Sequence, residues 1–249
     1  MTFLYHEFIF YPLYNAFIFL IGTFPFLDAG LAIIVFTIIV RLLLYPLASK
    51  SVRTQAIMRT MNPEIEALKE KYKDDKEKQA KETMALYKKY NLNPFASILL
   101  IFIQLPILIG LYRVFLASGL PHVNASILYP FVSASVSINM IFLGIIDITA
   151  KNYILAFCAG ITQYFQAKLM VPPPSKGPKK STPDFAYHMS MQMKYVLPIV
   201  IFFIAYTTKG AVAIYLTVSN LFMIGQELFM RRKLAREEQM IIEAEAPRA

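Results

Sequence analysis

The sequence predicts an all-α polytopic membrane protein, with five transmembrane helices, an N-terminal interfacial helix and a cytoplasmic helical hairpin. Three observations predict it. Hydrophobic residues make up 57% of the 249 positions and charged residues only 16%. The apolar residues gather into several runs long enough to cross a hydrocarbon core at roughly 1.5 Å per helical residue. The dense Lys/Arg clusters fall in alternate connections between those runs, so they share one side of the membrane. The net charge of +9 therefore reads as loop asymmetry that sets orientation, not as a nucleic-acid surface.

Residues 1–28 are aromatic and apolar, but Pro12, His6, Glu7 and Asn15 interrupt them. They read as a helix lying in the interface plane, with an extra span as the alternative. No basic n-region or small-x-small site is present, so a cleaved signal peptide is not expected. Residues 29–48 form the first span. Residues 49–94 are the longest polar section, with eleven basic against seven acidic side chains between Lys50 and Asn93, which assigns it to the cytoplasm. Asn62-Pro63 is expected to interrupt its helical run. Ile65, Leu68 and Tyr72 then pair with Ala80, Met84 and Tyr87 across a turn at Asp74-Asp75, giving an antiparallel hairpin. A solvated charged linker is the alternative.

Residues 95–115 are the second span, with Gln104 and Pro106 inside it and Arg113 snorkelling at its outer end. Residues 116–150 are an extracytoplasmic loop whose only charge is Asp147. Its apolar stretches are too short to span, so short interfacial or re-entrant helices are expected. Residues 151–171 are the third span, and residues 172–194 a second, Pro-rich basic loop on the cytoplasmic side. Residues 195–230 hold the fourth and fifth spans. The Arg231-Arg232-Lys233 cluster opens a cytoplasmic basic tail, residues 231–249, expected to be frayed.

Arg41 organises this arrangement. It lies about one and a half turns inside the end of the first span marked by Tyr45 and Pro46, where an isolated guanidinium costs at least ~2.5 kcal/mol. Thr37, Arg41 and Tyr45 recur at i, i+4 and i+8 and so share one stripe. Either the arginine snorkels to phosphates, or it faces a hydrated pocket in the inner half of the membrane. Gln104, Gln163, Ser219 and Asn220 are polar groups on other spans that could line the same cavity; each alone reads as interhelical glue.

The known chemical motifs are missing: no Gly-rich phosphate loop, HExxH, CxxC or GxSxG occurs. His6, His122 and His188 have no second ligand at metal spacing, and Cys158 is a lone cysteine in an apolar run. Asp147 and Glu227 read as lone acids near opposite ends of the membrane. Neither enzyme nor cofactor nor metal site is expected. A cavity carrying positive charge would instead lower the barrier to moving a short hydrophilic tail across, while the neighbouring apolar segment partitions into lipid. A channel or small-solute transporter using the same cavity, and a purely structural assembly factor, are the other readings.

The run from Ile38 to Phe115, which contains VRLLLYPLASKSVRTQ and KKYNLNPF, closely resembles the YidC/Oxa/Alb family of membrane protein insertases. Lys151–Met170 and Ala211–Arg232 are similar to that family's later spans. The resemblance implies an insertase and chaperone of the bacterial inner membrane for short-tailed membrane proteins. It would have its N-terminus outside and its C-terminus in the cytoplasm. It implies that Arg41 is the groove arginine and that Thr37 and Tyr215 line the groove. It also implies partners: nascent membrane proteins, the lipid bilayer, and the ribosome and signal-recognition machinery through the cytoplasmic loops and tail. The Sec translocon would be a further partner, and nucleic acid would be met only through ribosome contact. The large extracytoplasmic domain of many relatives has no counterpart here. Leu216 stands where many relatives carry an aromatic residue after the tyrosine.

Overall fold

A computed structural model describes residues 2–90, 109–115, 120–135, 137–170 and 191–245. Helix α1 runs over residues 2–23, with a π turn at His6–Phe10 between Thr2–Tyr5 and Tyr11–Thr23. Helix α2 is Ala29–Leu43, α3 is Tyr45–Lys71 and α4 is Lys76–Lys89. Residues 109–115 are helical. Helix α5 is Tyr153–Met170; α6 joins a π turn at Gln192–Val196 to Leu197–Thr207; α7 is Gly210–Glu245. The second span before residue 109, including Gln104, and residues 171–190 of the second loop lie outside the described residues.

Helices α2, α5 and α7 run in one direction and α6 in the other. Their ends show this. At one end the Gly210 N–H donates to the Ala150 carbonyl (2.9 Å), Ala211 to Ile148 (3.1 Å), Ile148 to Met140 (3.1 Å) and Ala29 to Asn139 (2.8 Å). At the other end Tyr45 meets Met230, Arg231 meets Leu169, and the Tyr164 ring packs on Tyr195. The basic residues Lys168, Lys194, Arg231, Arg232 and Lys233 all belong to this second end.

Residues 120–150 differ from the sequence expectation. Among the described residues they hold only one 3-10 turn, Ala125–Ile127, and a two-stranded antiparallel hairpin, Ile141–Phe142 with Ile146–Asp147. Three residues connect the paired strands, and two of them, Leu143 (53°) and Gly144 (72°), take positive φ in a turn closed by the Ile145 N–H donating to the Phe142 carbonyl (3.1 Å). Helix ends explain why this loop is extended. The Asp28 carboxylate caps α2 through Oδ1, which accepts from Leu31 N–H (2.8 Å), while Oδ2 accepts from Leu143 N–H (3.0 Å). Gly30 is needed where the hairpin closes: a Cβ there would collide with the Phe142 side chain.

Helix α1 is long and apolar enough to cross a membrane, as is Gly210–Arg236 of α7. Its partners along its length nevertheless belong largely to residues 109–131. Arg113 Nη1 donates to His6 Nε2 (3.0 Å) and lies 5.0 Å over the Tyr5 ring. Tyr14 Oη accepts from Asn124 N–H (2.8 Å), Asn15 joins Ile127 and Tyr129, and Phe19 meets Phe131. Arg113 therefore turns back onto α1 instead of snorkelling, and His6 is its partner. Around Tyr14, Phe17, Ile18, Ile33, Phe36, Leu111 and Val114 this end of the molecule holds its main buried core.

Three helix boundaries also move. The first span, expected over residues 29–48, ends as a helix at Leu43, and α3 restarts with Pro46 in its first turn. There the missing N–H costs nothing and the fixed φ suits a helix start. Pro63 does not interrupt α3, because Met61 and Ile65 on either side of it are buried against Ile57, Leu86 and Tyr87. That seam keeps Ile65 and Tyr87 of the expected pairing and adds Ile57, Met61 and Leu86, while Met84 is exposed. The segment after Met230, expected to fray, continues α7 as helix to Glu245.

Candidate functional site: a polar seam between α2 and α7

Arg41 lies in the last turn of α2, half-buried, and its Nη2 donates to Ser219 Oγ on α7. No carboxylate among the described residues forms an ion pair with it. One turn toward the α2 start, Thr37 is buried, and its hydroxyl donates to the Ile33 carbonyl of its own helix (2.6 Å). Tyr215, one turn before Ser219, is buried and within electrostatic reach of the guanidinium. One turn beyond Arg41, Tyr45 Oη reaches Met230 Sδ (3.7 Å). Thr37, Arg41, Tyr215 and Ser219 thus come together along one seam.

Asn220 and Gln163 do not join them. Residue 220 is rotated about 100° from residue 219 on a 3.6-residue helix. Its side chain turns to α5, where Nδ2 donates to Thr162 Oγ1 (3.3 Å) and the Ala159 carbonyl (3.5 Å). Gln163 Nε2 donates to Gln166 Oε1 (3.0 Å), and Gln166 in turn donates to Met170 Sδ. Farther along the same face, Arg231 Nε donates to Glu227 Oε1 (2.8 Å), and Arg231 Nη2 donates to the Leu169 carbonyl at the end of α5. Glu227 is therefore an ion-pair member and not a lone acid. Its i, i+4 spacing from Arg231 was the available signal in the sequence.

Helix α7 consequently carries two polar stripes. Tyr215, Ser219, Gln226 and Met230 follow a 4-7-4 spacing that keeps one face toward α2 and the start of α3; Asn220, Glu227 and Arg231 keep the adjacent face toward α5. On the α5 face each of these polar side chains meets a partner on α5 or α7. On the α2 face Gln226, which is 8% exposed, has an amide nitrogen with no hydrogen-bond partner among the described residues. Sequence reasoning missed Gln226, because a glutamine in the inner third of an apolar helix resembles the glue residues around it.

Apolar helices gathered around an internal arginine, with basic residues at one end, define a helical membrane protein built on a polar interhelical seam. A sequence profile of the 60Kd inner membrane protein family matches residues 20–238, and the chain belongs to that family. It is 34% identical over 224 residues to the membrane protein insertase YidC of Clostridium tetani, covering 90% of each chain. It is 34% identical to the membrane protein insertase MisCA of Bacillus subtilis over 81% of this chain and 70% of that one. A YidC of Oleidesulfovibrio alaskensis is 32% identical over 82% of this chain but only 35% of its own, longer sequence. These relatives are named for insertion of membrane proteins, not for an enzymatic reaction.

Proposed function

We propose that this protein inserts short-tailed membrane proteins into the bacterial inner membrane and assists their folding. In this reading the α2–α7 seam is a hydrophilic groove open to lipid and cytoplasm. The observation that carries the reading is Arg41, a permanent charge inside an apolar helix that is answered by a neutral hydroxyl and no described carboxylate. Such a cation attracts an acidic or carbonyl-rich tail, and its local hydration lowers the barrier to the tail's passage. The adjoining apolar segment then leaves into lipid, and its partitioning drives the step. The five-span topology has the loop at residues 120–150 outside and the basic ends, hairpin and α7 extension in the cytoplasm. Helix α1 lies along the outer surface beneath the loop. The hairpin, the second loop and the tail receive nascent chains from the ribosome and signal-recognition machinery, beside a Sec channel or alone.

The test is insertion of a single-span substrate with an acidic tail into proteoliposomes holding the purified protein. Arg41→Ala that folds normally should lose insertion, and Arg41→Lys should keep much of it, because the point charge survives. Full-rate insertion by Arg41→Ala would refute the reading.

A further inference from the structure

Gln226 has no part in the groove as drawn from the sequence, yet its position is specific. It sits seven residues after Ser219 and four before Met230, within about 40° of both around the α7 axis. Ser219 answers Arg41 and Met230 answers Tyr45, so the glutamine faces the interval between those two contacts. Met170, Leu169 and Arg231, which belong to the α5 face, lie at the same inner level. The Gln226 side chain is more than nine-tenths buried, and its amide nitrogen has no acceptor among the described residues. A buried donor left unmade is costly, and the cost persists only where something else supplies the acceptor. Arg41, one level further in, is a pure donor, whereas the Gln226 amide also carries an oxygen that can accept.

We infer that Gln226 is a substrate-binding residue that donates to carbonyl or carboxylate oxygens of an extended polypeptide tail entering from the basic end, and hands that tail on to Arg41. The inference rests on the insertase reading and deepens it. It assigns the preference for acidic or bare-backbone tails to two successive donors, with Gln226 the first met. A tail rich in lysine forgoes the charge attraction of Arg41, while its backbone carbonyls still meet the Gln226 amide N–H and its ammonium groups can donate to the amide oxygen. The amide matters for specificity, since a neutral N–H donates to a peptide carbonyl as well as to an aspartate.

The experiment uses the full-length protein in proteoliposomes and three single-span substrates whose tails carry aspartates, serines or lysines. Gln226→Leu should slow all three tails, each of which presents backbone carbonyls, by about fivefold, the order expected for one lost hydrogen bond. Gln226→Glu, which keeps the shape and replaces the donor with an acceptor charge, should invert the order of aspartate and lysine tails. No slowing of any tail by Gln226→Leu, or an unchanged order of aspartate and lysine tails with Gln226→Glu, would overturn the inference. If Arg41→Ala is slow in the same assay, such a result leaves the insertase reading standing. If Arg41→Ala is also at full rate, that reading itself has failed.

Discussion

The two polar faces of α7 use the same kinds of side chain toward opposite ends. Toward α5, an asparagine meets a hydroxyl and a carbonyl, and an arginine is shared between a glutamate and a helix-terminal carbonyl. Toward α2, an arginine meets a serine hydroxyl with Tyr215 within electrostatic reach, and a glutamine amide nitrogen has no hydrogen-bond partner among the described residues. Polar groups inside a membrane are tolerated as glue when they satisfy one another. Where they do not, the proposed reading gives them a substrate to bind. The difference between adhesive and site is thus a matter of about 100° around one helix.

The largest expected effect sets the two faces against each other. Arg41→Ala should cut insertion of an acidic-tailed substrate at least about tenfold, through loss of a charge-assisted bond, while the melting temperature in detergent stays nearly unchanged. Arg231→Ala should do the reverse. Its side chain is 37% exposed, so the penalty for parting it from Glu227 is discounted to about 2 kcal/mol. Insertion per folded molecule should then stay near wild type. A stability loss confined to Arg41→Ala would erase the distinction. Asn220→Ala, a single interhelical hydrogen bond, should cost about 0.6 kcal/mol by equilibrium unfolding in mixed micelles, with tail preference unaltered.

The smallest effect lies away from both faces. The Thr149 hydroxyl (2.6 Å) and N–H (2.8 Å) donate to Asp147 and hold its carboxyl below the ordinary carboxylate range. A depressed value means the carboxylate stabilises the loop above the unfolded-state pKa and that this support is lost as pH falls through the lower folded value. Amide exchange at Thr149 should therefore accelerate below about pH 4. Asp147→Asn should abolish that dependence and leave insertion by the α2–α7 seam untouched.

Much of this was legible in the sequence, because Arg41 interrupts an apolar run and its cost in lipid is independent of context. Ser219 could be named as a polar group, but its difference from Asn220 could not be read. Periodicity gives relative positions on a helix and leaves the helix's rotation against its neighbours undetermined. The two prolines make the same point for the backbone. Pro46 opens α3 while Pro63 lies within it, and only the burial of Met61 and Ile65 in the hairpin distinguishes the second case. Residues 120–150 escaped because their conformation comes from outside, from Asp28 and from the helix-end N–H groups that bond to the loop carbonyls. Arg113 and His6 follow no spacing rule, being joined across 107 positions.

The bond between Arg41 and Ser219 spans 178 positions of sequence. At about 5–20 residues per second of synthesis, the arginine of each new copy exists for on the order of 10–40 s before its serine has been made. During that interval a bare guanidinium must be tolerated in the bilayer or held by another protein.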